Sequence, residues 1–387
     1  MSQFNGKAFG RFLYKSFLKN RGTHYRLTAK RLGVLLLSLA IYLPVELVTW
    51  MGLLLDELLF PEYREIEVQQ PVFIIGNPRS GTTFLQRLLA KDVDNFFSMK
   101  TWEIFAAPSL TMRKIIRGGV KVARGVGMSV TKRIKRLERL WAEGNVIHRL
   151  ALRAPEEDEY LFIHIFTAMK VWSFAAMVEE ALPFVYYDQR MPAGEKQRMM
   201  DFYQACLQRH ITFHRGIQKH YMAKNPNFSP MIKTLLGRFP DAKFIYLVRN
   251  PLDAVPSHLS LKEREWQMLG RPLNDYASRE FILESSEYWY NYPLEILEGL
   301  PEDQALIVNF DEMVANAENT VKKIYSRFGF EISPAYQQIL VEETQKARDH
   351  ESQHEYSLKG LGLSAEELRV RFAPVFERFD FPQRDGS

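Results

Sequence analysis

A single cysteine, Cys206, stands among 387 residues. With no second thiol the chain forms no internal disulfide and no multi-cysteine zinc site, which favours a reducing compartment. Internal repeats, low-complexity linkers and any zinc-finger, homeodomain or RNA-recognition signature are also missing, so no nucleic-acid partner is expected. Residues 1–31 contain no acid, yet they hold eight bases, from Lys7 to Arg31. Residues 111–139 hold ten bases, from Arg113 to Arg139, and one acid, Glu138. These stretches carry +17 of a chain whose formal charge is +5, so the remainder is at −12. Basicity is local and the body is acidic. A hydrophobic share of 46% with 25% charged and 13% aromatic residues is that of a folded globular protein. The length allows two or three domains, or one large α/β domain with insertions.

Directly after the first basic stretch comes a long apolar run, residues 33–55, interrupted by Pro44 and Glu46. It exceeds the roughly 20 residues that cross a bilayer. Pro44 removes a helical hydrogen bond, and a carboxylate at mid-membrane costs on the order of 3 kcal/mol. Two shorter helices in the membrane surface, or a re-entrant hairpin, therefore fit better than a simple span; a buried hairpin on the globular body is the soluble alternative. The run is too long for a cleavable signal, and no small-residue cleavage site follows. Residues 1–65 are read as a basic and apolar membrane-associating segment. In the second basic stretch Ile115, Ile116, Val120 and Val122 interleave with the bases, while Gly118, Gly119, Gly125 and Gly127 weaken a helix.

Apolar runs bounded by turn residues predict strands at 72–75 (VFII), 243–248 (KFIYLV) and 305–310 (ALIVNF), with a weaker one near 96–99. Helical spacing appears between them, as in Phe84, Leu85, Leu88, Leu89 and in Ile232, Leu235, Leu236, Phe239. The alternation predicts a three-layer α/β fold around a mostly parallel sheet over residues 66–387, with a helical cap insertion at about 105–215.

The most specific local signal is Gly76-Asn77-Pro78-Arg79-Ser80-Gly81-Thr82-Thr83, between the first strand and an apolar helix. Strand, glycine-bearing turn and helix aim backbone N–H groups and a positive helix end at a phosphate. A Walker loop ends in Gly-Lys-Ser/Thr; here Thr82 follows Gly81, and Arg79 lies inside the loop, where a planar fork grips oxyanions. The loop resembles the 5′-phosphosulfate loop of the sulfotransferases, Pro-Lys/Arg-Ser-Gly-Thr-Thr. A second match follows at Tyr246-Leu247-Val248-Arg249-Asn250-Pro251, with Ser257 eight positions beyond Arg249. The resemblance covers about residues 58–375 and is nearest the broad bacterial-type group. Pro155-Glu156-Glu157-Asp158-Glu159, Phe239-Pro240-Asp241-Ala242 and His354-Glu355-Tyr356-Ser357-Leu358 support it.

That resemblance implies a P-loop-like fold and a sulfuryl donor, 3′-phosphoadenosine 5′-phosphosulfate (PAPS). Arg79, Ser80, Gly81, Thr82 and Thr83 would bind its phosphosulfate, and Arg249 with Ser257 its 3′-phosphate. Sulfuryl transfer needs a base for the acceptor proton and cations for the leaving phosphate, but no metal. Lys224 precedes Arg249 at about the family's catalytic-lysine interval. Pro226 occupies the position of the histidine base of the cytosolic enzymes. Related branches of the family use a glutamate shortly after the second strand, so the resemblance implies Glu103, beside Trp102, as the base through a raised pKa; together with Lys224 and Arg79 it forms the expected catalytic set. The acidic cluster 156–159 is the reserve, and His148, His164 and His258 are read as packed or surface residues. The expected acceptor is a lipid-like, amphipathic or saccharide hydroxyl met near a membrane surface. A P-loop small-molecule kinase and a membrane-anchored nucleotide-binding protein without turnover are the alternatives. The lone cysteine, and the position of the Asn227-Phe228-Ser229 sequon in a donor-side loop, favour a catalytic body facing the cytoplasm.

Overall fold

The computed structural model describes residues 3–134, 136, 138, 151–214, 219–268, 276–348 and 358–381. Lys135, Arg139, His148 and residues 354–357 lie outside them. Five strands form one sheet: β1 (Val72–Gly76), β2 (Phe96–Phe97), β3 (His220–Lys224), β4 (Lys243–Val248) and β5 (Ala305–Asn309), in the order β2-β3-β1-β4-β5. Every pairing is parallel. The three-layer α/β fold read from the alternation is the one observed. β3 went unrecognised in the sequence, because His220 and Lys224 bracket only three apolar residues.

Parallel strands covered on both faces read as continuous apolar runs, and β1 and β4 are buried at every position. The period of two divides them between two cores. Phe73, Ile75, Phe244 and Tyr246 pack on one side, and Val72, Ile74, Ile245 and Leu247 on the other. β1 is central, and the chain crosses from β3 over it to β4. The carboxyl ends of β1, β3 and β4 therefore surround the point where the strand order reverses, the place where such sheets bind ligands.

The apolar run does not break at Pro44. α1 (Gly6–Leu13) is followed by one continuous helix, α2 (Ala29–Leu59), where two shorter helices or a hairpin had been expected. Its buried face explains why it holds together. Arg31, Leu35, Glu46, Thr49, Gly52, Leu53 and Asp56 point into the protein, and several of them are tied down, Arg31 through Nη2 to the Ala175 carbonyl at 2.9 Å. Glu46 pairs with Nδ1 of His164 at 2.8 Å. Asp56 accepts the Leu110 and Thr111 amides, both at 2.7 Å, and binds Arg209 Nε at 3.0 Å. Gly52 lets Ser109 and Met112 approach so closely that a Cβ would meet Ser109 Oγ at 2.6 Å. Tyr42 Oη donates to the Ile163 carbonyl at 3.0 Å and Trp50 Nε1 to that of His164 at 3.1 Å. Anchors along its length outweigh the roughly 3 kcal/mol that an interior proline costs.

Between β2 and β3 the described chain is helical. It contains α4 (Thr101–Phe105), α5 (Leu110–Gly125), a 3₁₀ stretch (Asp158–Ile165) and the helices Met169–Phe174, Val178–Val185, Tyr187–Arg190 and Ala193–Phe213. α5 runs through Gly118 and Gly119 despite their low propensity. The amino-terminal Phe12, Leu35 and Leu53 share one core with this insertion.

Candidate active site

The loop after β1 is built by two close approaches. Gly76 has φ 150°, and a Cβ there would lie 2.6 Å from the Leu247 carbonyl oxygen of β4. Gly81 has φ 85°, with the Phe310 ring 2.5 Å from where a Cβ would sit. Neither position admits a side chain. Gly81 also serves as the N-cap of α3 (Thr82–Leu89) without contributing a side-chain bond, so no capping side chain occupies the helix start, whose Thr82 and Thr83 line the cavity over the strand ends. Arg79 lies at φ 71°, a left-handed conformation uncommon for a non-glycine residue. The strained backbone coincides with the two bonds that tie the loop to the residue following β4 and to the helix after it. Arg79 Nε donates to Ser257 Oγ at 2.9 Å, and Arg249 Nη1 donates to the Arg79 carbonyl at 2.9 Å.

Arg249 closes β4, and its guanidinium lies 4.3 Å above the Phe310 ring, which fixes its plane. Asn250 starts the helix Pro251–Met268 by accepting the Leu252 amide at 2.9 Å, and that helix carries Ser257. The sequence-expected pair thus meets the loop arginine in one cluster. Lys224, at the end of β3, is in register with Ile74 of β1 and so stands beside the same loop.

A cavity of about 410 Å³ opens over these strand ends. Arg79, Thr82 and Thr83 line it on the loop side; Glu157, Tyr160 and Lys170 face them from the insertion. Glu157 binds Lys224 Nζ at 2.6 Å and also Lys170. Burial would raise its carboxyl pKa, but the two ammonium charges outweigh that and hold it below the usual carboxylate range. Lys170 lies 4.0 Å from the Tyr160 ring centroid. Burial disfavours its charge, yet Glu157, Tyr160 and Glu159 hold its pKa well above the ordinary lysine value. Behind them Asp158 accepts Tyr203 Oη at 2.7 Å and Tyr221 Oη at 2.5 Å, and burial pushes its carboxyl up to about 7. His258 also lines the cavity, with an unpartnered buried Nδ1; burial, Lys262 and Arg79 push its pKa down to about 3, so the ring is neutral.

Glu103 sits differently from expectation. It is not among the cavity-lining residues. Its Oε2 accepts the Lys100 amide at 2.8 Å in a capping box at the start of α4, and His214 Nε2 lies 3.6 Å from Oε1. Burial would raise its pKa, but the His214 hydrogen bond and the Arg113 charge bring it below the ordinary glutamate value, where a raised value had been expected. Glu103, His210 and His214 place potential ligand atoms within 4.8 Å of one another. However, Arg113 Nη1 lies 2.5 Å from His210 Nδ1. A guanidinium only donates, so a neutral His210 keeps its proton on Nε2, the wrong form for metal ligation. Sequence reasoning missed Lys170 and Tyr160, for which no local motif gives a signal, and held Glu157 only in reserve.

A parallel α/β sheet with an uncapped helix start after its central strand, no Walker lysine, and an arginine and a serine delivered by the end of the adjacent strand and the helix after it defines a phosphate-loop protein that lacks the lysine of the magnesium-dependent NTPases. The chain belongs to the sulfotransferase family, whose model matches residues 71–334. It is 24% identical over 279 residues to the omega-hydroxy-beta-dihydromenaquinone-9 sulfotransferase Stf3 of Mycobacterium bovis and of Mycobacterium tuberculosis. That alignment spans 67% of this chain but only 62% of those relatives. Crystal structures of sulfotransferase STF1 from Mycobacterium tuberculosis (TM-score 0.68, 18% identity, 95% of this chain and 91% of that one) and of STF9 from Mycobacterium avium (0.64, 19%, 84% and 80%) share the fold.

Proposed function

We propose that the protein transfers a sulfuryl group from PAPS to a hydroxyl of a lipid-like alcohol at a membrane surface. The observation that carries this reading is the Arg79–Ser257–Arg249 cluster, which joins the phosphate loop to the next strand in a chain of the sulfotransferase family. Arg79, Ser80, Gly81, Thr82 and Thr83 hold the 5′-phosphosulfate, and Arg249 and Ser257 the 3′-phosphate. Lys224 meets the bridging oxygen of the leaving phosphate. Glu157, which lines the cavity, is the base in place of Glu103, which does not.

The paired lysines give this assignment a mechanism. Without donor, Lys170 and Lys224 hold Glu157 ionised and engaged. A bound phosphosulfate competes for both ammonium groups, and as they turn to it the carboxylate loses the charges that depress its pKa. The acceptor oxygen then attacks sulfur while the bond from sulfur to the phosphate oxygen breaks. The acceptor proton passes to Glu157, and Lys224 with the loop amides takes up the charge left on the phosphate.

The lipid-like acceptor is supported by α2, the one helix among the described residues long and apolar enough to cross a membrane. The name of the curated relatives, which specifies a menaquinone-derived substrate, supports it as well. Because the polar face of α2 packs on the protein, we place the helix along the membrane surface, with the body on the cytoplasmic side. Incubating the protein with sulfur-labelled PAPS and a lipid extract tests the reading. A labelled, organic-soluble product supports it; absence of product together with no binding of 3′-phosphoadenosine 5′-phosphate (PAP) overturns it.

A further inference from the structure

A second cavity of about 170 Å³ lies between the first half of α2 and the insertion. Val34, Leu35, Leu39 and Tyr42 form its α2 side, and Phe12 and Phe166 close it. Its remaining wall includes Ile163, Val171 and Phe174, and these same three residues also line the donor cavity. The two cavities therefore stand back to back across one layer of side chains, one carrying the charges of the reaction and the other mainly apolar, with Arg31 and Ser38 as polar residues in its lining. An apolar cavity of about 150 Å³ stays dry and takes up a hydrocarbon as large as benzene, so this one has room for a short stretch of chain.

Its surroundings indicate where such a chain comes from. On the same turns of α2, Leu36, Leu37 and Ile41 are 54%, 63% and 58% exposed, an unusual density of apolar surface facing away from the protein.

We propose that the crevice between α2 and the helix Met169–Phe174 binds the hydrocarbon chain of the acceptor and thereby positions its hydroxyl in the donor cavity. The proposal rests on the sulfotransferase reading above and adds the site that selects the acceptor. It commits to one occupant, the alkyl or polyprenyl chain of a lipid alcohol, because the crevice shares the wall of Ile163, Val171 and Phe174 with the reaction cavity and lies on the helix that carries the exposed apolar face.

Soluble primary alcohols of two to ten carbons, with PAPS as donor, test it. In the wild type kcat/KM rises with chain length by about four-fold per methylene buried, then levels off once the crevice is full. Val34→Trp and Leu39→Trp, each filling the crevice, flatten that dependence while the rate with the two-carbon alcohol and the affinity for PAP stay at wild-type values. If either variant loses PAP affinity through misfolding, Phe174→Ala carries the test: by opening the shared wall it moves the plateau to longer or branched chains. Length dependence that survives in both tryptophan variants, or a plateau unmoved in Phe174→Ala, overturns the crevice while leaving the sulfotransferase reading intact. No transfer to any alcohol, with PAP still bound, overturns the acceptor reading and the crevice with it.

Discussion

If Arg249 holds the donor and Glu157 takes the acceptor proton, as proposed, their variants should separate accordingly. A charge-assisted hydrogen bond to phosphate contributes about 1.5–3 kcal/mol, so Arg249→Ala should weaken PAP binding by roughly ten- to a hundred-fold in calorimetry. Ser257→Ala, which removes one neutral hydroxyl, should cost about ten-fold or less. Glu157→Gln keeps the shape but abolishes the base; kcat should fall by about 10²–10⁴ with PAP affinity retained. Glu103→Gln should leave kcat near wild type, its amide oxygen still accepting the Lys100 N–H. A large kcat loss in Glu103→Gln with none in Glu157→Gln would reverse the assignment. Asp158 gives a pH signature. Its folded pKa, pushed up to about 7, exceeds the unfolded value, so the native state binds the extra proton between about pH 4 and 7. Stability from this group is therefore lost as pH rises through that window, and Asp158→Asn should remove that part of the slope in urea melts.

At the scale of elements, what the sequence revealed depended on how local the deciding interaction is. β1 and β4 are legible because burial on both faces leaves a long uniform run, and the phosphate loop because its glycines answer to backbone sterics at single positions. β3 is illegible because its pairing with β1 and β2 involves residues more than a hundred positions away, and His220 and Lys224 are polar at its ends. The Lys170–Glu157–Lys224 network joins three separate elements, so no spacing rule announces it. α2 was misjudged for a related reason: Pro44 and Glu46 are local warnings, but the partners that answer them are remote. His164 donates from Nε2 to the Ile104 carbonyl at 2.7 Å and faces Glu46 with Nδ1, so both nitrogens carry protons. Burial would lower its pKa, yet Glu46 and the carbonyl raise it on balance. The stabilisation from this pair is thus complete below the unfolded histidine pKa of about 6.5 and is lost as pH rises through the raised folded value. Glu46→Ala leaves the imidazolium without its partner and should cost about 3–5 kcal/mol, read as a lower denaturant midpoint at pH 6. A shift under 1 kcal/mol would mean that α2 is held by its other anchors, Asp56, Tyr42 and Trp50 among them, rather than by the Glu46–His164 pair.

For the whole molecule, the charge distribution and the apolar surface converge on one side of the argument. α2 inverts the usual amphipathic order, with Glu46, Thr49 and Asp56 inward and Leu43, Leu47, Met51, Leu54 and Leu58 outward. An aqueous surface gains nothing from that row of leucines, whereas a lipid interface receives them without placing a charge in hydrocarbon. α5 packs against α2 through Gly52, and beyond its first turn Lys114, Arg117, Lys121 and Arg124 are exposed beside Ile115 and Val122. Each base near an anionic surface contributes on the order of 1 kcal/mol, and the attraction is screened within about a Debye length. Two terms of different salt dependence are therefore expected in vesicle binding. Protein added to vesicles containing phosphatidylserine should co-sediment at low salt and lose part of its binding at 0.5 M salt, the part due to charge. Leu37→Glu with Leu47→Glu should remove the salt-resistant remainder while PAP binding is unchanged, since both residues face away from the donor cavity. Binding that vanishes at high salt in the wild type would assign the attachment to the bases alone and leave the outer face of α2 for another apolar partner.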